Sequence, residues 1–270
     1  MNPQGRAPST PHHPARPTAP RRPNGRRGAF SGSKGENMIL TNPVDPALTG
    51  GPNDFFPTPE AEVEKVILAM NMRQWAEEQR SKRAMPLVVD PGAGDGNILA
   101  TVDRMLDVEI FGIELDRKRH QVCEQRGLQV WWGNFLEPAK SLSTEKGKLG
   151  FLQSLVTSTP GASWFLQNPP GYRDDDGRAR QFVEWSLKLA LPGDRVTALI
   201  PRQVDCLKGW RHLFLSGSGY RCCLTPNGRM RFVGDGGSRD VAWFTWEKGY
   251  NGPAFTACVE DINASNMIWP

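Results

Sequence analysis

Residues 90 to 96 read Asp-Pro-Gly-Ala-Gly-Asp-Gly and residues 167 to 171 read Gln-Asn-Pro-Pro-Gly. These two segments hold the residue types and spacings most able to do chemistry. The first follows the apolar run Leu87-Val88-Val89 and precedes a helical pattern, the strand, glycine loop and helix context that a nucleotide site requires. Gly92, Gly94 and Gly96 are spaced G-x-G-x-G, not G-x-G-x-x-G, and the loop carries Asp90 and Asp95 as well as Ala93. Two carboxylates would repel a dinucleotide pyrophosphate, which seeks bare N–H groups at a helix N-terminus. A plain βα turn would use the same glycines for positive φ and tight packing.

A cofactor with cationic groups and no phosphate suits an acidic loop, and S-adenosylmethionine, with its sulfonium and ammonium, is of that kind. Glu114 ends the apolar run Ile110-Phe111-Gly112-Ile113. A carboxylate at the end of a second strand, about 20 residues past the glycine loop, is placed to take a ribose hydroxyl pair; the bland alternative is a helix-start acid favoured by the dipole. Asn168 and Pro169 offer a different chemistry. The lone pair of an exocyclic amine on a base is delocalised into the ring, which makes it a poor nucleophile. The Asn168 side-chain oxygen and the Pro169 carbonyl could accept its hydrogens and push the nitrogen toward sp³. Pro169 and Pro170 would hold the backbone so that the acceptors are preorganised. A strand-ending turn is the alternative, since Asn-Pro favours turn initiation.

Such groups need a scaffold. From residue 55 onward the pattern alternates strand and helix. Thr58 is placed to cap a helix with Pro59 at its first position and Glu60 and Glu62 in its first turn, and that helix is expected to run to about Arg80. Strands are expected near 86–90, 109–115, 128–132, 163–168 and 195–201, with helices at 97–106, 116–126 and 178–190. This order implies a Rossmann-like, mostly parallel seven-stranded sheet with helices on both faces. Residues 220–225 and 240–247 read as two strands joined by a Gly- and Arg-rich loop, an antiparallel hairpin at one sheet edge.

Composition sets the boundaries. Residues 1–35 hold seven prolines, seven Lys or Arg and no Asp or Glu, and without an apolar run such a segment is expected to be a disordered basic tail. The remaining body has 26 basic and 29 acidic residues, so the tail supplies the whole positive balance of the chain, +4. Arg6, Arg16, Arg21, Arg22, Arg26 and Arg27 could neutralise phosphates without reading sequence, or the tail could be merely solubilising. The domain is expected over 36–250, with 251–270 as a C-terminal extension. No apolar segment is long enough for a signal peptide or membrane span. Five cysteines without a C-x-x-C read as reduced thiols of a cytoplasmic protein, with no metal site or disulfide framework. Trp164, Trp243 and Trp246 sit in apolar runs and read as core. Asp174, Asp175 and Asp176 read as a solvated loop before the next helix.

Over residues 55 to 247 the chain resembles the class I S-adenosylmethionine-dependent methyltransferases, with motifs in the family's order. Phe55-Phe56-Pro57-Thr58-Pro59 resembles the N-terminal cofactor-lid motif of the DNA amino-methyltransferases. Asp90 to Gly96 is similar to their cofactor loop, Glu114 to their ribose acid, and Gly133-Asn134-Phe135-Leu136 to the segment touching the adenine ring. Asn168 to Gly171 resembles the catalytic Asn-Pro-Pro-aromatic motif. The closing segment, Arg229-Met230-Arg231-Phe232 and then Val241 to Glu247, resembles small phage-encoded DNA methylases. The resemblance implies S-adenosylmethionine as cofactor, Asn168 also among the cofactor contacts, and DNA as partner, with Arg229 and Arg231 as candidate contacts. One departure stands out: the aromatic that usually follows the prolines is replaced by Gly171, with Tyr172 one residue later. Three functions follow: methylation of a DNA amino nitrogen, adenine N6 first; methylation of another planar nitrogen, such as guanine N2 in RNA or a protein glutamine amide; or an inactive methyltransferase fold that binds nucleic acid.

Overall fold

The computed structural model describes residues 56–136, 148–171, 177–232 and 238–261. The basic tail, Phe55, Tyr172 and Asp174 to Asp176 lie outside the described residues. The described residues fall in one compact unit, 42–270.

Five parallel strands carry the first half: β1 (Leu87–Asp90), β2 (Glu109–Glu114), β3 (Val130–Trp132), β4 (Ser163–Gln167) and β5 (Arg195–Pro201). Strands β6 (Tyr220–Thr225), β9 (Val241–Glu247) and β10 (Phe255–Cys258) complete an eight-stranded sheet of order β10-β6-β9-β5-β4-β1-β2-β3. Two short strands, β7 (Met230–Arg231) and β8 (Ser238–Arg239), form a separate antiparallel ribbon. The helices are α1 (Glu60–Ala69), α2 (Met72–Ser81), α3 (Asn97–Met105), α4 (Arg117–Gln125), α5 (Lys148–Ser158) and α6 (Arg178–Leu189).

Period-two alternation along the strands divides the core. Val88, Trp164, Leu199 and Trp243 pack with α1, α2, α3 and Cys123 of α4. Their neighbours Leu87, Val89, Phe165 and Val196 pack on the other face with α5 and α6. Both faces are therefore covered, which explains why β1, β4 and β5 are buried at almost every position. The three expected core tryptophans are at most 1% exposed. Trp164 satisfies its indole N–H on the Thr197 hydroxyl at 2.9 Å, as a buried indole must.

The expected Rossmann-like sheet is present, with two refinements. It has one strand more than the seven expected, because β10, drawn from the stretch after residue 250, pairs in parallel with β6. The β6 and β9 pair is antiparallel as expected, but it does not form the edge: β9 inserts between β5 and β6, and β10 covers β6. An eighth strand removes β6 as an exposed edge, a recurrent liability of open sheets.

The helix expected from Pro59 to about Arg80 is two helices. Asn71 adopts φ 49°, left-handed, between α1 and α2, a conformation Asn tolerates better than most residues. A continuous helix would set Met70 and Met72 about 200° apart on its surface. With the break, both are fully buried, and the Met70 sulfur receives the Thr197 and Thr245 hydroxyls at 3.6 and 3.7 Å. Thr58 does not cap α1 either; Pro59 holds the cap position and no side chain caps the helix.

The chain runs outward from β1 through β2 to β3, then returns to β4 on the other side of β1. That reversal leaves a crevice beyond the carboxyl ends of β1 and β4, where ligands bind in open α/β sheets.

Candidate active site

A cleft of about 490 Å³ occupies this crevice. Of the residues expected at a site, Phe56, Pro57, Thr58, Asp90, Gly92, Ala93, Gly94, Glu114, Asn134, Phe135, Asn168, Pro169 and Pro170 all line it. Gly96 does not. It takes φ 80° at the start of α3, and a Cβ there would lie 2.3 Å from Leu128 Cδ1, so this glycine serves the loop's turn and its packing. Tyr172 lies outside the described residues.

Each acid has a defined position. Asp90 ends β1 and is 1% exposed. Its Oδ1 accepts the Gly92 N–H at 3.1 Å, whereas Oδ2 is buried with no hydrogen-bond partner among the described residues. Burial pushes its carboxyl up to about 8, with Glu114 adding to the rise against the Gly92 hydrogen bond. Glu114 ends β2. Its Oε2 accepts from Gly94 N and its Oε1 from Asp116 N, both at 2.7 Å. Burial raises its carboxyl above the ordinary value, while the two backbone N–H groups and Arg119 oppose the rise. Each carboxylate oxygen has a second lone pair, so anchoring the loop does not exhaust Glu114 as an acceptor. Asp95 is raised by burial against the pull of Arg119 and Arg126.

Across the cleft, Asn168 follows β4 directly. Its Nδ2 donates to the Phe56 carbonyl at 2.9 Å and to the Thr58 hydroxyl at 3.0 Å. A carbonyl can only accept, so the NH₂ limb faces residues 56–58 and Oδ1 occupies the other limb as an acceptor. Thr58 is buried, and its hydroxyl meets Asn168 while Pro59 holds the cap position of α1. Gly171 closes the motif with φ 96°, a region that side chains bearing a Cβ rarely adopt. The aromatic of the resembled motif would be strained at this position.

Several residues at the site gave little signal in the sequence. Asn97 donates to the Thr58 carbonyl at 3.0 Å. Arg126 reaches the Asp95 carbonyl at 2.6 Å, Asn97 Oδ1 at 2.8 Å and Glu60 Oε1 at 3.0 Å, tying the glycine loop to the first turn of α1. Arg119, Gln181 and Phe182 also line the cleft, and Phe135 meets Phe182 at a centroid distance of 5.1 Å. Asp116 accepts from Lys118 N and Arg119 N as the cap of α4; that role was readable from an Asp just before a helical pattern.

The arrangement suits a cationic nucleoside. A buried acceptor without a partner among the described residues, a second buried acid with spare lone pairs and an apolar Phe135–Phe182 wall share one cleft of small-molecule size. Among the described residues no helix is long and apolar enough to cross a membrane.

No protein-family model matches the sequence, and no curated protein matches it either. Solved structures are similar in fold. A DrdV–DNA complex matches with a TM-score of 0.51 at 11% identity, over 78% of this chain and 29% of that one. A proposed class I S-adenosylmethionine-dependent methyltransferase of Listeria monocytogenes gives 0.48 at 15% identity, over 75% and 65%. The M protein of the type I restriction enzyme EcoKI gives 0.47 at 16% identity, over 70% and 43%. The chain spans less than two thirds of the length of each. The fold is Rossmann-like, and identities this low speak for the fold alone.

Proposed function

We propose that the chain is an S-adenosylmethionine-dependent methyltransferase acting on an exocyclic amino nitrogen of a nucleic-acid base, adenine N6 of DNA being the first candidate. The observation that carries this reading is the pairing of two half-sites in one cleft. On one side are buried acids for a cationic nucleoside, and on the other an amide whose oxygen is fixed as an acceptor. Asp90 would take the ammonium, Glu114 the ribose hydroxyls, and Asn134 and Phe135 the adenine side. The bound cofactor would supply an electrophilic methyl group on its sulfonium. Asn168 Oδ1 and the Pro169 carbonyl would accept the hydrogens of the target amine, localising its lone pair as the new N–C bond forms.

Nucleic acid as partner is supported by exposed cations. Arg229 and Arg231 are exposed beside and on the β7–β8 ribbon. Arg202, Lys208 and Arg211 are exposed after the carboxyl end of β5. The basic tail would add further phosphate contacts. The alternatives, RNA guanine N2, a protein glutamine amide or an inactive fold, are separated by one assay. Full-length chain is incubated with methyl-labelled cofactor and, separately, with DNA, RNA and protein. Label on DNA as 6-methyladenine is the expected outcome; label on RNA or protein moves the substrate, and no transfer to any of them refutes the enzyme reading.

A further inference from the structure

Two residues that hold Asn168 come from a segment 110 and 112 positions earlier in the chain, Phe56 to Thr58. An asparagine amide is nearly symmetric in shape but opposite in polarity at its two ends. Swapping its ends would press Oδ1 against the Phe56 carbonyl oxygen, two acceptors in contact. The Phe56 carbonyl therefore sets which end is which. The Thr58 hydroxyl, which could pair with either end, adds the second anchor that fixes the torsion. Resting on the methyltransferase reading above, we infer that Thr58 is a positioning residue: together with the Phe56 carbonyl it aims the Asn168 oxygen at the target amine.

The sequence equips this segment for the task. Phe56 precedes Pro57 and Thr58 precedes Pro59, and a residue before proline is confined to extended backbone. Neither proline has an N–H to compete for the acceptors. The segment is itself braced from three directions. Asn97 donates to the Thr58 carbonyl at 3.0 Å. The Phe56 ring, buried, lies 5.7 Å from Phe232. The Arg239 guanidinium sits 4.8 Å from the centre of the Phe56 ring. Phe232 and Arg239 adjoin and belong to the basic ribbon, so the element bearing the candidate phosphate contacts also seats the residue whose carbonyl orients Asn168.

The test uses full-length Thr58→Val, which keeps the shape and removes the hydroxyl acceptor, and Thr58→Ser, which restores it. Val is expected to lower kcat by about three- to tenfold, the usual worth of one hydrogen bond, with KM for the nucleic acid changed by less than twofold, and Ser is expected to recover most of the loss. Unchanged kcat in Val, or no recovery in Ser, overturns the inference. A second readout does not need activity: hydrogen exchange of the Asn168 side-chain NH₂, followed by NMR, should be at least threefold faster in Val than in parent and Ser. Equal exchange in all three overturns the positioning role. Absence of methyl transfer by the parent, with exchange behaving as expected, would instead refute the methyltransferase reading and leave the amide's anchoring standing.

Discussion

The two sides of the cleft are built in opposite ways. The acidic side is local: Asp90 bonds Gly92, two residues on, and Glu114 bonds Asp116, two residues on, and Gly94 in the neighbouring loop. The amide side is assembled from distant parts, with Asn168 held by residues 56 and 58 and these braced by 97, 232 and 239. The first side binds through charge stored in a buried loop. The second sets the direction of a neutral group. Damage to the first should appear in affinity and damage to the second in rate.

The largest effect expected along this divide is at Asn168. Asn168→Ala removes the proposed acceptor and should lower turnover by ~10²–10³, the usual cost of losing one preorganised polar group. Cofactor affinity measured by calorimetry should stay within about threefold, less than one typical hydrogen bond. Glu114→Ala should do the reverse in kind, weakening cofactor binding by ~10-fold or more, as expected for a charged hydrogen-bond acceptor. Because Glu114 also anchors Gly94 and Asp116, its melting temperature should fall as well, which calorimetric scanning would register. A Glu114→Ala protein with parental affinity would remove the ribose assignment.

A third effect, on stability, is expected at Gly171, where the comparison with the resembled motif is sharpest. Gly171→Ala places a Cβ at φ 96° and should cost roughly 1–3 kcal/mol of stability in denaturant unfolding. The same strain makes Gly171→Tyr an unsuitable way to restore the missing aromatic. Unchanged stability in Gly171→Ala would mean that the motif's backbone relaxes readily.

The same divide governs how much could be read from the sequence. Strands β1, β2, β4 and β5 were legible because their apolar runs end at Asp90, Glu114, Gln167 and Pro201, marking both the strand and the site edge. The loop acids were legible because local spacing fixes their place on the sheet. Thr58 was misread as a helix cap, since Thr before Pro-Glu has the composition of a cap and only tertiary contact shows that its hydroxyl meets Asn168 instead. The break at Asn71 was hidden because Met70 and Met72 on either side of it are good helix formers, and only the burial of both decides the matter. Strand β10 was missed because Phe255 to Cys258 is short and only partly buried. Arg126 has no sequence signature linking it to Glu60, 66 residues away.

Whether the acidic side is a cation site can be tested directly by pH. With a carboxyl at about 8, Asp90 is mostly protonated at neutral pH in the free chain. Its folded value lies above the unfolded 3.8, so its contribution to stability is complete below about 4 and is lost as pH rises toward 8. Binding an ammonium on Asp90 favours the ionised form and must expel that proton. Calorimetric titration of S-adenosylmethionine between about pH 5.5 and 7.5, where an α-ammonium stays largely protonated, should therefore give affinity that rises with pH, approaching ~10-fold per unit, with proton release on binding. Asp90→Asn should flatten that slope. No binding, or an affinity in the parent that is flat or falls over this range, would contradict the account.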